Sequence, residues 1–214
     1  MDGAVKRGYR SEVRAAQARD TRRAVVAAAD RLFVERGYGA TTVDAVAAAA
    51  GVSRKTVFTA VGGKLDLLRT AIEWAVAGDD LPVAVADRAG LREVLNHSDP
   101  RALLRGCAQV SSQINGRVAA LSLVLDGAAG ADPEARALAD EGHAHRLQDA
   151  RTVVERLRTL GALTGRLPPE EAADVVWLAI DPGLYDRLVR IRGWAPERFE
   201  SWLADSLVAA LLDE

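Results

Sequence analysis

Residues 41–64 read TTVDAVAAAAGVSRKTVFTAVGGK, two short helical phrases on either side of a glycine. Thr41 and Thr42 offer hydroxyls to the free N–H groups of a first turn and Asp44 complements its positive end, so a helix is expected over Val43–Ala50. Gly51 stops it, since glycine enters the left-handed conformation without a Cβ penalty. After Val52, Ser53 caps a further segment that runs to about Val61. Two short helices joined by so tight a turn form a helix-turn-helix, which presents its second helix to the major groove of DNA.

On that second helix Arg54, Lys55, Thr56 and Thr59 fall on the exposed side, able to bond base edges or phosphate oxygens, while Val57 anchors it inward. Gly62 and Gly63 would let a phosphate approach the N–H groups that open the next helix, where the dipole favours an anion. Lys64 at that positive end costs on the order of tenths of a kcal/mol unless an anion lies opposite. A DNA phosphate would remove the conflict.

Working outward, Thr21–Arg36 places Val25, Ala28, Ala29, Leu32 and Phe33 on one side, with Gly37 as the stop. A fourth helix opens near Gly63 or Lys64 and carries Leu65, Leu68, Ile72, Ala75 and Val76 before Gly78, Asp79, Asp80 and Pro82 break it. Beyond that break the spacing predicts helices over Leu91–Asn96, Pro100–Asn115, Arg117–Ala129, Pro133–Leu160, Pro168–Asp181, Gly183–Arg192 and Pro196–Leu212. No sustained period-two alternation bounded by hairpin turns is present, so the fold class is all-α. The expected organisation is a flexible basic arm over 1–16, a three-helix DNA-binding domain over 17–62, and a larger helical ligand-binding and dimerisation domain over 63–214 entered through a connector helix at 63–78.

Composition agrees with a folded, soluble, cytoplasmic protein. Hydrophobic residues make up 49% of the 214 and charged residues 27%. The sole cysteine, Cys107, allows no internal disulfide, and no apolar run approaches the roughly 20 residues of a membrane span. The net charge of −2 is unevenly spread: residues 1–62 hold 11 Lys plus Arg against 6 Asp plus Glu, and the remainder is acidic. A basic front suits an anionic polymer, and Lys6, Arg7, Arg10 and Arg14 form a candidate arm beside the main DNA contact. No carboxylate pair, nucleophile with its base or phosphate loop emerges, so an enzyme is not expected. No cofactor is implied. His143 and His145 lie two apart on a helix and point to different sides, and His97 is alone, so no metal site is expected.

The stretch TRRAVVAAADRLFVERGYGATTVDAVAAAAGVSRKTVFTAVGGKLDLL, residues 21–68, resembles the TetR family of transcriptional regulators. Its marks are the TR start, F-x-x-x-G-Y closing the first apolar helix, the TT cap, AxxAGVS, and a lysine opening the fourth helix; LYDRLVRIRGWAPERFESWLADSL at the C-terminal end resembles the dimerisation end of many members. The resemblance implies a homodimer that reads a palindromic double-stranded operator and is released by a small molecule, as a repressor is. By position it implies Thr42 and Lys64 on phosphates and Lys55, Thr56 and Phe58 at or near the bases; Ser53, Arg54 and Thr59 are added from their place on the helix. The family usually has T-[LV]-Y-x-[YH]-F where this chain has Thr56, Val57, Phe58, Thr59, Ala60 and Val61. Phe58 keeps a ring and loses a hydroxyl, Ala60 removes a phosphate contact, and Val61 shrinks a core anchor. These departures motivate the alternative of a helical dimer that binds a small molecule or protein and has weakened DNA binding.

In the back half, Leu103, Cys107, Val110 and Ile114 form one apolar stripe and Leu121 and Leu125 another, which either pack or line a ligand pocket, with Gln113, Asn115 or Asp126 as polar contacts. Trp74, late in the fourth helix, is the further pocket candidate. Wide apolar faces with Ala172, Val175, Val176, Ala179 and Ile180 on one helix, and Phe199, Leu203, Leu207, Ala210 and Leu211 on the last, are expected to form a four-helix bundle between two copies.

Overall fold

A computed structural model describes the backbone of residues 2–80 and 89–213, and the side chains of residues 14–80 and 92–213. Its elements are α1 (Asp2–Ala40), α2 (Val43–Ala50), α3 (Arg54–Ala60), α4 (Lys64–Ala77), α5 (Ala89–Leu95), α6 (Pro100–Ala129), α7 (Pro133–Thr159), α8 (Pro169–Ala179), α9 (Pro182–Tyr185), a π-helical stretch Asp186–Ile191, and α10 (Pro196–Leu211). Among the described residues the β pairing is one antiparallel bridge, Leu163 with Leu212. The fold is all-α. The chain divides into two compact units, Met1–Glu73 and Trp74–Glu214.

In the first unit α1 extends far N-terminal of the expected Thr21 start. Residues 9–36 contain no glycine or proline, and their Ala, Arg, Glu and Gln favour helix. The segment expected as a flexible arm is therefore helical in backbone, although the side chains of Lys6, Arg7 and Arg10 lie outside the described residues; Arg14 is exposed. Gly37 leaves helical geometry at φ +75°, and the Thr41 hydroxyl donates at 2.8 Å to the Gly37 carbonyl that the break frees. Val25, Ala29 and Phe33 of α1, Val46 of α2, Val57 of α3 and Leu67 and Leu68 of α4 have no more than a trace of exposure. Most of α4 thus belongs to this unit.

The second unit packs α6, α7, α8 and α10 around Leu103, Leu104 and Ala108, Val154 and Leu157, Ala172 and Val176, and Phe199, Leu203, Leu207 and Leu211. Asp99 and Asp132 cap α6 and α7 by accepting from backbone N–H groups of each first turn, and Pro100 and Pro133 take the first helical position. Arg117 donates to the Ala75 carbonyl at 2.7 Å and to that of Val76 at 3.2 Å, placing a cation at the negative end of α4.

Two expectations need correction. The two helices placed either side of Gly116 are one 30-residue helix, α6. Val176, Phe199, Leu203 and Leu207, assigned to a face between copies, are at most 1% exposed and lie in the protomer's own core. They are taken up by the core that α6, α7, α8 and α10 share and have no surface left for a partner. Val175, Ala179, Ile180 and Ala210 are half-buried against the same core. The large apolar groups left outward on these helices are Leu178, 65% exposed, and Trp202, 38%.

Candidate nucleic-acid interface

The turn between α2 and α3 is built as the sequence requires. The Thr42 hydroxyl accepts from the Ala45 N–H at 3.1 Å, and Gly51 takes φ +69° while its N–H closes on the Ala48 carbonyl at 3.3 Å. Ser53 Oγ accepts from the Thr56 N–H at 3.1 Å and opens α3 two residues later. Val57 is the one fully buried side chain of α3. At the other end of α3, Arg22 of α1 donates to the Ala60 carbonyl at 3.2 Å. This cation at the negative end of α3 holds the helix where the sequence supplies only Ala60 and Val61.

Burial of Val57 fixes which way the remaining α3 side chains face. Ser53, Arg54, Lys55, Phe58 and Thr59 are exposed, as is Thr42 on α2; Thr56 and Lys64 are half-buried. Phe58 is 47% exposed, a large apolar ring left in solvent on a helix of only 7 residues. Thr59 bonds the Lys55 carbonyl at 2.9 Å, and the hydroxyls of Ser53 and Thr56 lie 2.8 Å apart. Thr56 is therefore engaged by the cap, whereas Lys55 enters no ion pair among the described residues and extends into solvent. The side chain of Arg54 is not loose: Nη1 meets Asp44 Oδ2 of α2 at 2.6 Å, and the guanidinium lies 5.5 Å from the Phe58 ring centre. Sequence reasoning treated Asp44 only as a helix-end charge, because its approach to Arg54 depends on the angle between α2 and α3.

The reading of Gly62, Gly63 and Lys64 changes. The Asp66 carboxylate accepts from the Gly63 N–H at 2.7 Å, which occupies the donor offered to a phosphate. Gly62 sits at φ +130°, and a Cβ there would fall 2.4 Å from Asp66 Oδ2, so these glycines serve the cap of α4. An acidic residue three positions after the opening glycine was the signal for that cap. Lys64 also has partners inside the unit, the Gly39 carbonyl at 3.3 Å and the Tyr38 ring at 4.3 Å, so its charge is held over the end of α1.

In the second unit the pocket candidates divide. Leu103 and Cys107 belong to the core, with Val110 packed against it; burial drives the Cys107 thiol up to about 12. Leu121 and Leu125 are buried, while Ile114 and Trp74 are half-buried. Asn115 is an internal tie, its amide donating to the Ile180 carbonyl at 3.1 Å, whereas Gln113 and Asp126 are exposed. Not foreseen was Arg146 of α7, which pairs with Asp181 at 2.9 Å and lies 5.4 Å from the Trp177 ring centre, its pKa lowered by burial against the pull of Asp181 and Asp126. A cleft of about 350 Å³ lies elsewhere, lined by Arg158, Gly161, Leu163, Thr164, Leu167 and Pro169. Among the described residues there is no group of three or more His, Cys, Asp or Glu able to hold a metal, and no helix long and apolar enough to cross a membrane.

Residues 25–71 match the family described as bacterial regulatory proteins, tetR family. No curated protein matches the chain by sequence. Among solved structures, the chain is similar to NalD, the secondary repressor of the MexAB-OprM multidrug efflux pump in Pseudomonas aeruginosa, at 20% identity and a TM-score of 0.69 over 92% of this chain and 99% of that one. It is similar to SmeT, the repressor of the Stenotrophomonas maltophilia multidrug efflux pump SmeDEF, whose complex with triclosan matches at 19% identity and a TM-score of 0.70 over 91% of this chain and 92% of that one. A third likeness is to a regulator from Saccharomonospora viridis in complex with choline, at 18% identity and a TM-score of 0.68 over 90% and 98%.

Proposed function

We propose that this chain, whose residues 25–71 belong to the tetR family of bacterial regulatory proteins, is a repressor that binds a palindromic operator as a homodimer and is released by a small molecule. The observation that carries the reading is the outer face of α3: Val57 is buried while Arg54, Lys55, Phe58 and Thr59 stand exposed beside the exposed cap Thr42. The cations and hydroxyl of this face match base edges and phosphates, and the helix that carries them follows a helix-turn-helix turn. A twofold pair of such helices separated by about 34 to 36 Å would meet successive major grooves. The second unit, Trp74–Glu214, is then the part that pairs two copies and takes the effector, as the efflux repressors and the choline-bound regulator suggest by their shared fold.

The test is anisotropy of labelled duplex from the DNA upstream of the chain's own gene, against a scrambled duplex, at about 50 and 200 mM salt. Lys55→Ala should relax base preference. Lys64→Ala should weaken every sequence about equally and flatten the salt slope by about 1. Negligible effects from both would reject the assignment.

A second reading, a helical binding module with weakened DNA affinity, is favoured by the cap that Asp66 makes on the Gly63 N–H and by the partners Lys64 already has. Absence of any shift with upstream DNA at low salt, together with binding of a small molecule to the unit Trp74–Glu214, would carry it instead.

A further inference from the structure

We propose that Asp44, Arg54 and Phe58 form a reader of guanine, in which Asp44 is a positioning residue that turns Arg54 from phosphate toward a base edge. The inference rests on the DNA-binding reading above and adds the base that is chosen.

Three observations meet at one side chain. Arg54 Nη1 lies 2.6 Å from Asp44 Oδ2, its guanidinium is 5.5 Å from the Phe58 ring centre, and the side chains of Arg54 and Asp44 remain 58% and 65% exposed. An ion pair this open to water adds little to stability, so holding α2 to α3 is a weak account of it. Its larger effect is on freedom. A guanidinium has five N–H donors in a rigid plane, and one contact to Asp44 with a ring beside it biases the orientation of that plane while leaving donors for a second partner.

Charge then decides between the two partners that DNA offers. Arg54 and Asp44 together are neutral, so the pair gains little near a phosphate, and the carboxylate is repelled there. The major-groove edge of guanine carries no net charge and presents two acceptors, O6 and N7, at the spacing an arginine fork matches. Phe58, next to the guanidinium and 47% exposed, keeps water from one side of it and offers a ring to a neighbouring base or thymine methyl. Lys55, the adjacent residue, has no such clamp, and its ammonium is a point charge without the planar fork that matches O6 and N7 together.

The experiment is selection of bound duplexes from a randomised pool by the full chain, followed by affinity against salt for the wild type, Arg54→Lys, Asp44→Asn and Asp44→Glu. The wild type should enrich guanine at one position of each half-site by about 5- to 150-fold over other bases, the span of a good bidentate pair. Arg54→Lys keeps the charge, so the salt slope should hold while guanine preference falls at that position alone. Asp44→Asn should lose preference at the same position, yet bind unrelated DNA more tightly with a slope steeper by about 1, because it frees a cation for phosphate. Asp44→Glu should restore part of the preference. A merely structural pair would weaken all sequences together when Asp44 is replaced. The proposal is overturned if no guanine depends on position 54, or if Asp44→Asn leaves preference and slope unchanged. Should the wild type bind no duplex at all, the DNA-binding reading falls and this one with it.

Discussion

Gly116 of α6 lies against the phenol of Tyr185: a Cβ at position 116 would stand 3.2 Å from the Tyr185 oxygen. Glycine is present there for closeness, not to end a helix. Tyr185 is itself confined, 6% exposed and edge-on to Phe199 at 5.1 Å between ring centres. Alanine at 116 gains helix propensity of about 0.5 to 1 kcal/mol but must push back the tip of a ring that Phe199 already flanks. Gly116→Ala is expected to be net destabilising by about 1 kcal/mol. Gly127→Ala on the same helix, with nothing within 4 Å of the added Cβ, should stabilise by about 0.5 to 1 kcal/mol. Urea denaturation of the two variants checks the pair of signs.

The same glycine shows where sequence reading ended. Helix starts were legible because they are local: Ser53, Pro100 and Pro133 open α3, α6 and α7 within a residue of the expected places. Gly116 read as a boundary because its reason, Tyr185, comes 69 residues later. On the candidate interface, the outward face of α3 followed from one buried residue, Val57. The Arg54–Asp44 contact did not, since it depends on the angle between two helices, and the Asp66 cap was visible in spacing but overlooked in favour of a phosphate.

Apolar faces posed a different problem. A stripe on α10 is the same whether α6 of its own chain or a second copy covers it. Leu203, fully buried in the protomer, should cost about 2 to 5 kcal/mol as Leu203→Ala, read by urea titration. Leu178→Asp removes little burial from a residue already 65% exposed and should leave the protomer folded. If the proposed homodimer docks through that outward face, the variant shifts sedimentation toward the monomer, because the charge must be desolvated for a partner to dock.

Cys107 supplies a pH test of the core. Burial raises its thiol from an ordinary 9.0 to about 12. The folded state therefore holds the proton more tightly than the unfolded chain does, and the contribution to stability is intact below about pH 9 and lost as pH climbs toward 12. Urea midpoints of the wild type and Cys107→Ala, compared from pH 8 to 11, should converge as the alkaline limb is reached, with the variant falling less steeply. A thiol reagent at pH 8 should leave the native protein unlabelled and label it once in denaturant.

Phe58 allows the missing hydroxyl on α3 to be restored. Its ring is 47% exposed and already flanks Arg54, so Phe58→Tyr keeps the stacking surface and adds one donor at the tip. A hydrogen bond to a charged phosphate oxygen contributes about 1.5 kcal/mol at the low end, which is about tenfold in affinity. The gain should be the same for operator and scrambled duplex, since phosphates carry no sequence. It should also leave the salt slope unchanged, because a neutral hydroxyl releases no counterion. A gain confined to one sequence would instead place the tip of residue 58 against a base, and a steeper slope would mean that the substitution had freed Arg54 from Asp44 rather than added a contact of its own.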